Sequence, residues 1–108
     1  MKFITTERLQ TLTNKNADFP LVNTLDVEFF EKTKILWSVN IPQSQNDFVD
    51  KLLEATGSKQ KMVVTYCAND QCNSSTHAAE KLEAADFNVA DYEGGAKAWK
   101  DAGKRLEV

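Results

Sequence analysis

The sequence predicts a single α/β domain in which a small, mostly parallel sheet carries helices on both faces. Three observations lead there. Apolar runs of strand length alternate along the chain with segments of helical period, and the connections are long enough for crossovers. Met62-Val63-Val64-Thr65-Tyr66 is nearly continuously apolar, the pattern of a strand covered on both faces of a parallel sheet. The chain has 108 residues with only two prolines and four glycines, so one core and no linker are expected.

Taken in order, Thr5 is placed to cap a first helix through Glu7, Leu9 and Leu12, with Ile4 and Leu9 at the spacing of a hydrophobic staple. That helix fades at 14–16. Leu21-Val22-Asn23-Thr24-Leu25 reads as the first strand, and the acidic stretch 26–31 as one helical turn. Ile35-Leu36-Trp37-Ser38-Val39 reads as the second strand, closed by Asn40-Ile41-Pro42, because the residue before proline is driven to extended geometry. Ser44 or Asn46 can cap a helix bearing Phe48, Val49, Leu52, Leu53 and Thr56, with Gly57 just past its end. The run 62–66 is the third strand. Ala78, Ala79, Leu82 and Ala85 recur at helical spacing from Ser74 or Ser75 onward, and their small side chains allow close approach to a sheet. Residues 87–92 form the fourth strand. Glu93-Gly94-Gly95 is a turn, followed by a terminal helix with Ala96, Trp99 and Lys100, ended by Gly103.

Composition excludes several classes of function. The formal charge is −3 with no block of like charges, which argues against a nucleic-acid partner. No apolar run approaches the ~20 residues needed to cross a bilayer, so neither a membrane nor a signal segment is expected and the location is read as cytoplasmic. Cys67 and Cys72 are the only cysteines. A close pair in a reducing compartment points to catalysis or redox chemistry rather than to a structural staple.

Cys67 ends the most β-like run, where ligands bind in parallel α/β folds. The segment Cys67-Ala68-Asn69-Asp70-Gln71-Cys72-Asn73-Ser74-Ser75 leaves a strand and enters a helix. Its backbone amides from Ala68 to Ser74, with the positive end of the helix dipole, are expected to hold an anion and to favour a thiolate at Cys67. Ser74 and Ser75 add hydroxyl donors. Cys67 is therefore the candidate nucleophile, and Ala68, Asn69, Asp70, Gln71, Asn73, Ser74 and Ser75 the candidate binding residues. Cys72 admits two readings, a packing residue and a resolving thiol that attacks an oxidised Cys67.

Other residues take plainer readings. His77 falls on the first turn of the loop helix and is read as solvated ahead of a general-base role. Cys67, Cys72 and His77 supply too few ligands, wrongly spaced, for structural zinc, so no metal and no cofactor is expected. Trp37, Phe48 and Trp99 are read as packing, and Lys97, Lys100, Lys104 and Arg105 as a solvated helix face.

Leu21-Val22-Asn23-Thr24, Ser38-Val39-Asn40-Ile41-Pro42, Tyr66-Cys67, the helix 75–82, and Tyr92-Glu93-Gly94-Gly95 through Trp99 to Gly103 together resemble the rhodanese-like sulfurtransferases over most of the chain. The resemblance implies a three-layer α/β fold and a persulfide on Cys67 that moves sulfane sulfur from a thiosulfate, polysulfide or persulfide donor to a thiol acceptor. Two departures stand out. No Lys or Arg lies between Cys67 and Ala79, so the loop arginine common in the family is missing and Cys72 stands in its region; Asn23 replaces the acidic residue often found after the first strand. A persulfide donor suits a loop without Lys or Arg better than the thiosulfate dianion. Phosphatases of the same architecture need that arginine for phosphoryl oxygens and are disfavoured. The rival reading is a catalytically weak member acting as a protein-interaction module or dithiol redox sensor.

Overall fold

A computed structural model describes residues 2–104 and residue 106. Five strands and five helices alternate along the described chain: β1 Lys2–Phe3, α1 Thr6–Asn14, β2 Leu21–Asn23, α2 Val27–Thr33, β3 Val39–Asn40, α3 Phe48–Thr56, β4 Val63–Tyr66, α4 Ser74–Ala84, β5 Val89–Tyr92 and α5 Gly95–Asp101. The strands form one sheet in the order β1-β5-β4-β2-β3 with every pairing parallel. The α/β class and the three-layer arrangement match the expectation from sequence.

Side-chain alternation along the strands builds two cores, one on each face. Leu21, Val64, Tyr66, Ala90 and Tyr92 point to the face where Leu9 of α1 and Ala96 and Trp99 of α5 pack. Val22, Val63 and Val89 point to the other, against Phe48 and Leu52 of α3 and Ala78, Ala79 and Leu82 of α4. Alanines at 78 and 79 let α4 lie close to β4 and β5. The central strands β4 and β5 are buried along their whole length.

Several local expectations hold in detail. Thr5 caps α1, its side chain accepting the Arg8 N–H at 3.1 Å. Ile4 and Leu9 meet in the same core. Gly57 ends α3 in the left-handed conformation, φ 71°. Others are corrected. The second strand is only Val39–Asn40, because the Tyr66 hydroxyl takes the Ile35 N–H at 3.0 Å and draws residue 35 into the core, leaving a single bridge to Leu106. The N-cap position of α3 is Asp47, not Ser44 or Asn46; the Ser44 hydroxyl instead donates to Asp26 at 2.8 Å. The acidic stretch forms a longer helix, α2. An additional edge strand, β1, pairs with β5. Arg105, assigned to a solvated helix face, lies outside the described residues.

Candidate functional site

Strand β4 delivers Cys67 to the carboxyl end of the sheet between β2 and β5, and the residue is 1% exposed. Two contacts fix the start of the loop. The first N–H groups of α5 bond back to it, Ala96 N to the Cys67 carbonyl and Lys97 N to the Ala68 carbonyl, both at 2.9 Å. This approach is close enough that residue 95 must be glycine: φ is +65°, and a Cβ there would collide with the Cys67 carbonyl oxygen and lie 2.9 Å from the Asn69 nitrogen. The Gly94-Gly95 turn read from the sequence is thus a wall of the site.

Asn69 organises the middle of the loop. Its side-chain oxygen accepts the N–H groups of Gln71 at 3.0 Å and Cys72 at 3.1 Å. These two amides, expected from sequence to face the sulfur, are turned to the carboxamide instead, because an asparagine two residues before a turn supplies a nearer acceptor. The same turn folds Cys72 back onto Cys67. Their Cα atoms are 6.4 Å apart, inside the ~7 Å limit for a bridge, and the two cysteines are joined as a disulfide.

The sulfur of Cys67 rests against the first turn of α4. It lies 3.6 Å from the Ser75 hydroxyl oxygen, near enough for that hydroxyl to donate to a thiolate, and 3.3 Å from the Cys72 carbonyl oxygen. The first amides of a helix have no intrahelical partner. At α4 no side chain caps them, since Asn73 makes no cap bond. The positive end of the α4 dipole is thereby left for the sulfur.

The remaining sequence-selected residues divide. Ser74 turns to β2, its hydroxyl lying 3.1 Å from Thr24 Oγ1 and 3.3 Å from the Thr24 carbonyl oxygen, so it braces the loop helix against the sheet. Asp70, Gln71 and Asn73 are exposed. Asp70 borders a cavity of ≈ 170 Å³ shared with Gly94, Lys97, Ala98 and Asp101. Lys97 is exposed as expected, and it is the cation of that rim: Nζ lies 2.7 Å from Asp101, whose hydrogen bond and charge, with a smaller contribution from Asp70, hold the ammonium above its ordinary pKa. His77 is exposed. Trp37 packs edge-on against Phe19, centroids 5.1 Å apart. Phe19 precedes β2, so this pair lies at the amino end of the sheet, away from Cys67.

Sequence reasoning missed three buried polar residues around the site. Asp91 is fully buried and accepts hydroxyl hydrogen bonds from Thr65 at 3.1 Å and Thr76 at 2.7 Å. Thr65 and Asp91 are paired partners on β4 and β5, and Thr76 sits in the first turn of α4, so this cluster ties the helix that holds Ser75 to the sheet. Thr24 is the third. A polar residue at the third position of each of two apolar strands was the available signal. Asn23, also buried, donates to Thr33 Oγ1 and accepts the Leu25 N–H, both at 3.0 Å, so both ends of its carboxamide are paired.

Comparison with known proteins agrees with this architecture. No curated protein matches the chain. Among solved structures, the BH2092 protein from Bacillus halodurans superimposes with a TM-score of 0.84 at 27% identity, covering 98% of this chain and 76% of that one. A thiosulfate sulfurtransferase from Pseudomonas aeruginosa gives 0.87 at 20% identity over 99% of this chain and 20% of its own. A rhodanese-like domain protein from Staphylococcus aureus gives 0.74 at 24% identity, with both chains covered in full. The family model described as "Rhodanese-like domain" matches residues 5–102, from the cap of α1 to the end of α5, and by that match the chain belongs to the rhodanese-like domain family.

Proposed function

We propose that this domain is a sulfurtransferase in which Cys67 carries sulfane sulfur as a persulfide from a polysulfide, persulfide or thiosulfate donor to a thiol acceptor. The observation that carries the reading is the seat of Cys67: a strand-end sulfur against the uncapped first turn of α4, with the Ser75 hydroxyl 3.6 Å away. That seat favours the thiolate, which is the nucleophile. The Cys67 thiolate attacks the outer sulfur of a donor R–S–SH; the new S–S bond forms as the donor bond breaks, giving Cys67–S–SH and R–S⁻. An acceptor thiolate then takes the outer sulfur and returns Cys67 as a thiolate. Cys72 supplies a second exit. Its thiolate attacks the inner sulfur, hydrosulfide leaves, and the observed Cys67–Cys72 disulfide is formed.

The disulfide also favours a second reading, a dithiol sensor that cycles between reduced and bridged states without carrying sulfur. Mass spectrometry separates the two. Reduced Cys72→Ser protein, in which the disulfide exit is closed, treated with polysulfide, a small persulfide or thiosulfate and then desalted gains about 32 Da on Cys67, the mass of one added sulfur atom, removable by a reductant. Cys67→Ser abolishes the gain. Absence of the increment with every donor removes the sulfurtransferase reading and leaves the sensor; the same increment in Cys67→Ser assigns the chemistry to Cys72.

A further inference from the structure

We infer that Cys72, rather than Cys67, is the atom through which an external thiol enters the oxidised site. The inference rests on the reading above only in taking Cys67 as the sulfur that must return as a thiolate. A bridged pair offers two sulfurs to an incoming nucleophile, and access and leaving-group stability decide between them. Both select the same one. Cys67 is 1% exposed, with the Ser75 hydroxyl and the Cys72 carbonyl against its sulfur, and its backbone is pinned by α5. Cys72 is partly exposed and lies between the exposed Gln71 and Asn73. Attack at Cys72 expels Cys67 into the first turn of α4, where helix dipole and hydroxyl stabilise the departing charge. Attack at Cys67 would expel Cys72, whose amide is already held by Asn69 and whose position is nearer to solvent.

The step balances as a thiol–disulfide exchange. A thiolate RS⁻ bonds to Cys72 sulfur, the Cys67–Cys72 bond breaks, and its electron pair leaves on Cys67. A second thiol then attacks the mixed disulfide, releasing R–S–S–R and the Cys72 thiolate. The protein is reduced by two electrons at the expense of two thiols. The loop therefore separates two tasks: Cys67 meets the sulfur donor, and Cys72 meets the reducing thiol. The loop around Cys72 carries the exposed Gln71 and Asn73 with Asp70 one position further, and Lys97, on the rim that Asp70 shares, is bound to Asp101.

The test uses wild-type protein oxidised to the bridged form, mixed with excess glutathione, quenched in acid at successive times and alkylated with N-ethylmaleimide, with adducts located by tandem mass spectrometry. Glutathione on Cys72 with maleimide on Cys67 is expected at the earliest times, at least ten-fold over the reverse. As a second measurement, Cys67→Ser exposed to glutathione disulfide accumulates a stable mixed disulfide on Cys72. Equal or reversed occupancy overturns the inference, as does reduction that passes through no Cys72 adduct, or a protein that retains two free thiols after oxidant. None of these results alters the 32 Da persulfide measurement, so failure here and failure of the sulfurtransferase reading are distinguishable.

Discussion

Replacing Gly95 by alanine tests whether the close approach of α5 to the loop fixes the position of Cys67. Two costs add. A residue with a Cβ held at φ +65° is less favourable than glycine by about 1–2 kcal/mol. The new methyl would also meet the Cys67 carbonyl oxygen, with the Asn69 nitrogen at 2.9 Å and the Ala68 carbonyl carbon at 3.0 Å, all backbone atoms that cannot rotate away. Relief requires α5 and the loop to separate, which endangers the bonds from Ala96 N to Cys67 O and from Lys97 N to Ala68 O; leaving one buried group unpaired costs about 1–3 kcal/mol more. The sum is roughly 2–5 kcal/mol. Gly57→Ala is the control: its φ is +71° but nothing lies within 4 Å of the added carbon, so only the first cost, about 1–2 kcal/mol, applies. Urea unfolding of both variants gives the difference directly, and persulfide formation on Cys67 gives its effect on the site. Gly95→Ala is expected to be the less stable of the two and at least ten-fold slower to load sulfur, while Gly57→Ala loads normally. Equal destabilisation with unchanged loading would refute the claim that α5 positions Cys67.

Two further perturbations bear on the framework around the site. Tyr66→Phe removes the hydroxyl that donates to the Thr33 carbonyl at 3.0 Å and accepts the Ile35 N–H, and should cost about 1–3 kcal/mol in urea unfolding. Burial holds the Tyr66 phenol above its ordinary pKa of 10.0, outweighing the lowering by bonds from Ile35, Ser38 and Asn23, and burial raises Tyr92 likewise. The folded state keeps these protons longer than the unfolded chain, so the stabilisation is complete below pH 10 and is lost as pH rises through the folded values. Unfolding midpoints across the alkaline range should fall less steeply in Tyr66→Phe than in wild type; identical slopes would show that Tyr66 does not titrate differently on folding. Asn69→Ala removes the acceptor of the Gln71 and Cys72 amides, and should slow closure of the Cys67–Cys72 bridge after oxidant by about ten-fold, the kinetic equivalent of ~1.4 kcal/mol, as followed by free-thiol titration. Unchanged closure would mean that the carboxamide does not hold the turn.

What could be read from the residues was whatever is encoded locally. Thr5 carries its cap within its own side chain, Gly57 its left-handed φ in the lack of a Cβ, and the run 62–66 its burial in continuous apolarity, so each emerged close to its observed place. The edge strand Lys2–Phe3 has two exposed residues and no period, and it exists only because β5 offers a free edge. The run 35–39 shows the opposite failure: it has strand composition, yet a hydroxyl thirty-one residues away captures its first amide. At the site, the strand-end place of Cys67 and the helix that follows were legible because strand end and helix start adjoin in sequence. The choice made by the loop amides was not, because Asn69 competes with the sulfur for the same donors. Nor could the Thr65, Thr76 and Asp91 cluster be seen, since it requires the β4–β5 register and the seating of α4 at once.

The way charge is held around Cys67 bears on which molecules can exchange sulfur with it. On the proposed mechanism the site must stabilise one negative charge, on the Cys67 thiolate or its persulfide. A helix end supplies roughly 0.5 of an elementary charge and about 0.3–2 kcal/mol, enough to favour a single anion but modest against the desolvation of two. Asn69 occupies two loop amides, and the nearby ammonium of Lys97 is exposed and bound to Asp101, so neither adds to that supply at the sulfur. Asp70 on the same rim repels a second negative charge. A thiosulfate dianion would bring its sulfonate into this neighbourhood, where Lys97 is already bound to Asp101, whereas a persulfide or polysulfide presents the same sulfane sulfur with less charge. The disulfide exit works under the same constraint: hydrosulfide leaves as a monoanion, and the charge restored when the bridge is reopened at Cys72 falls on Cys67, against the first turn of α4, which no side chain caps.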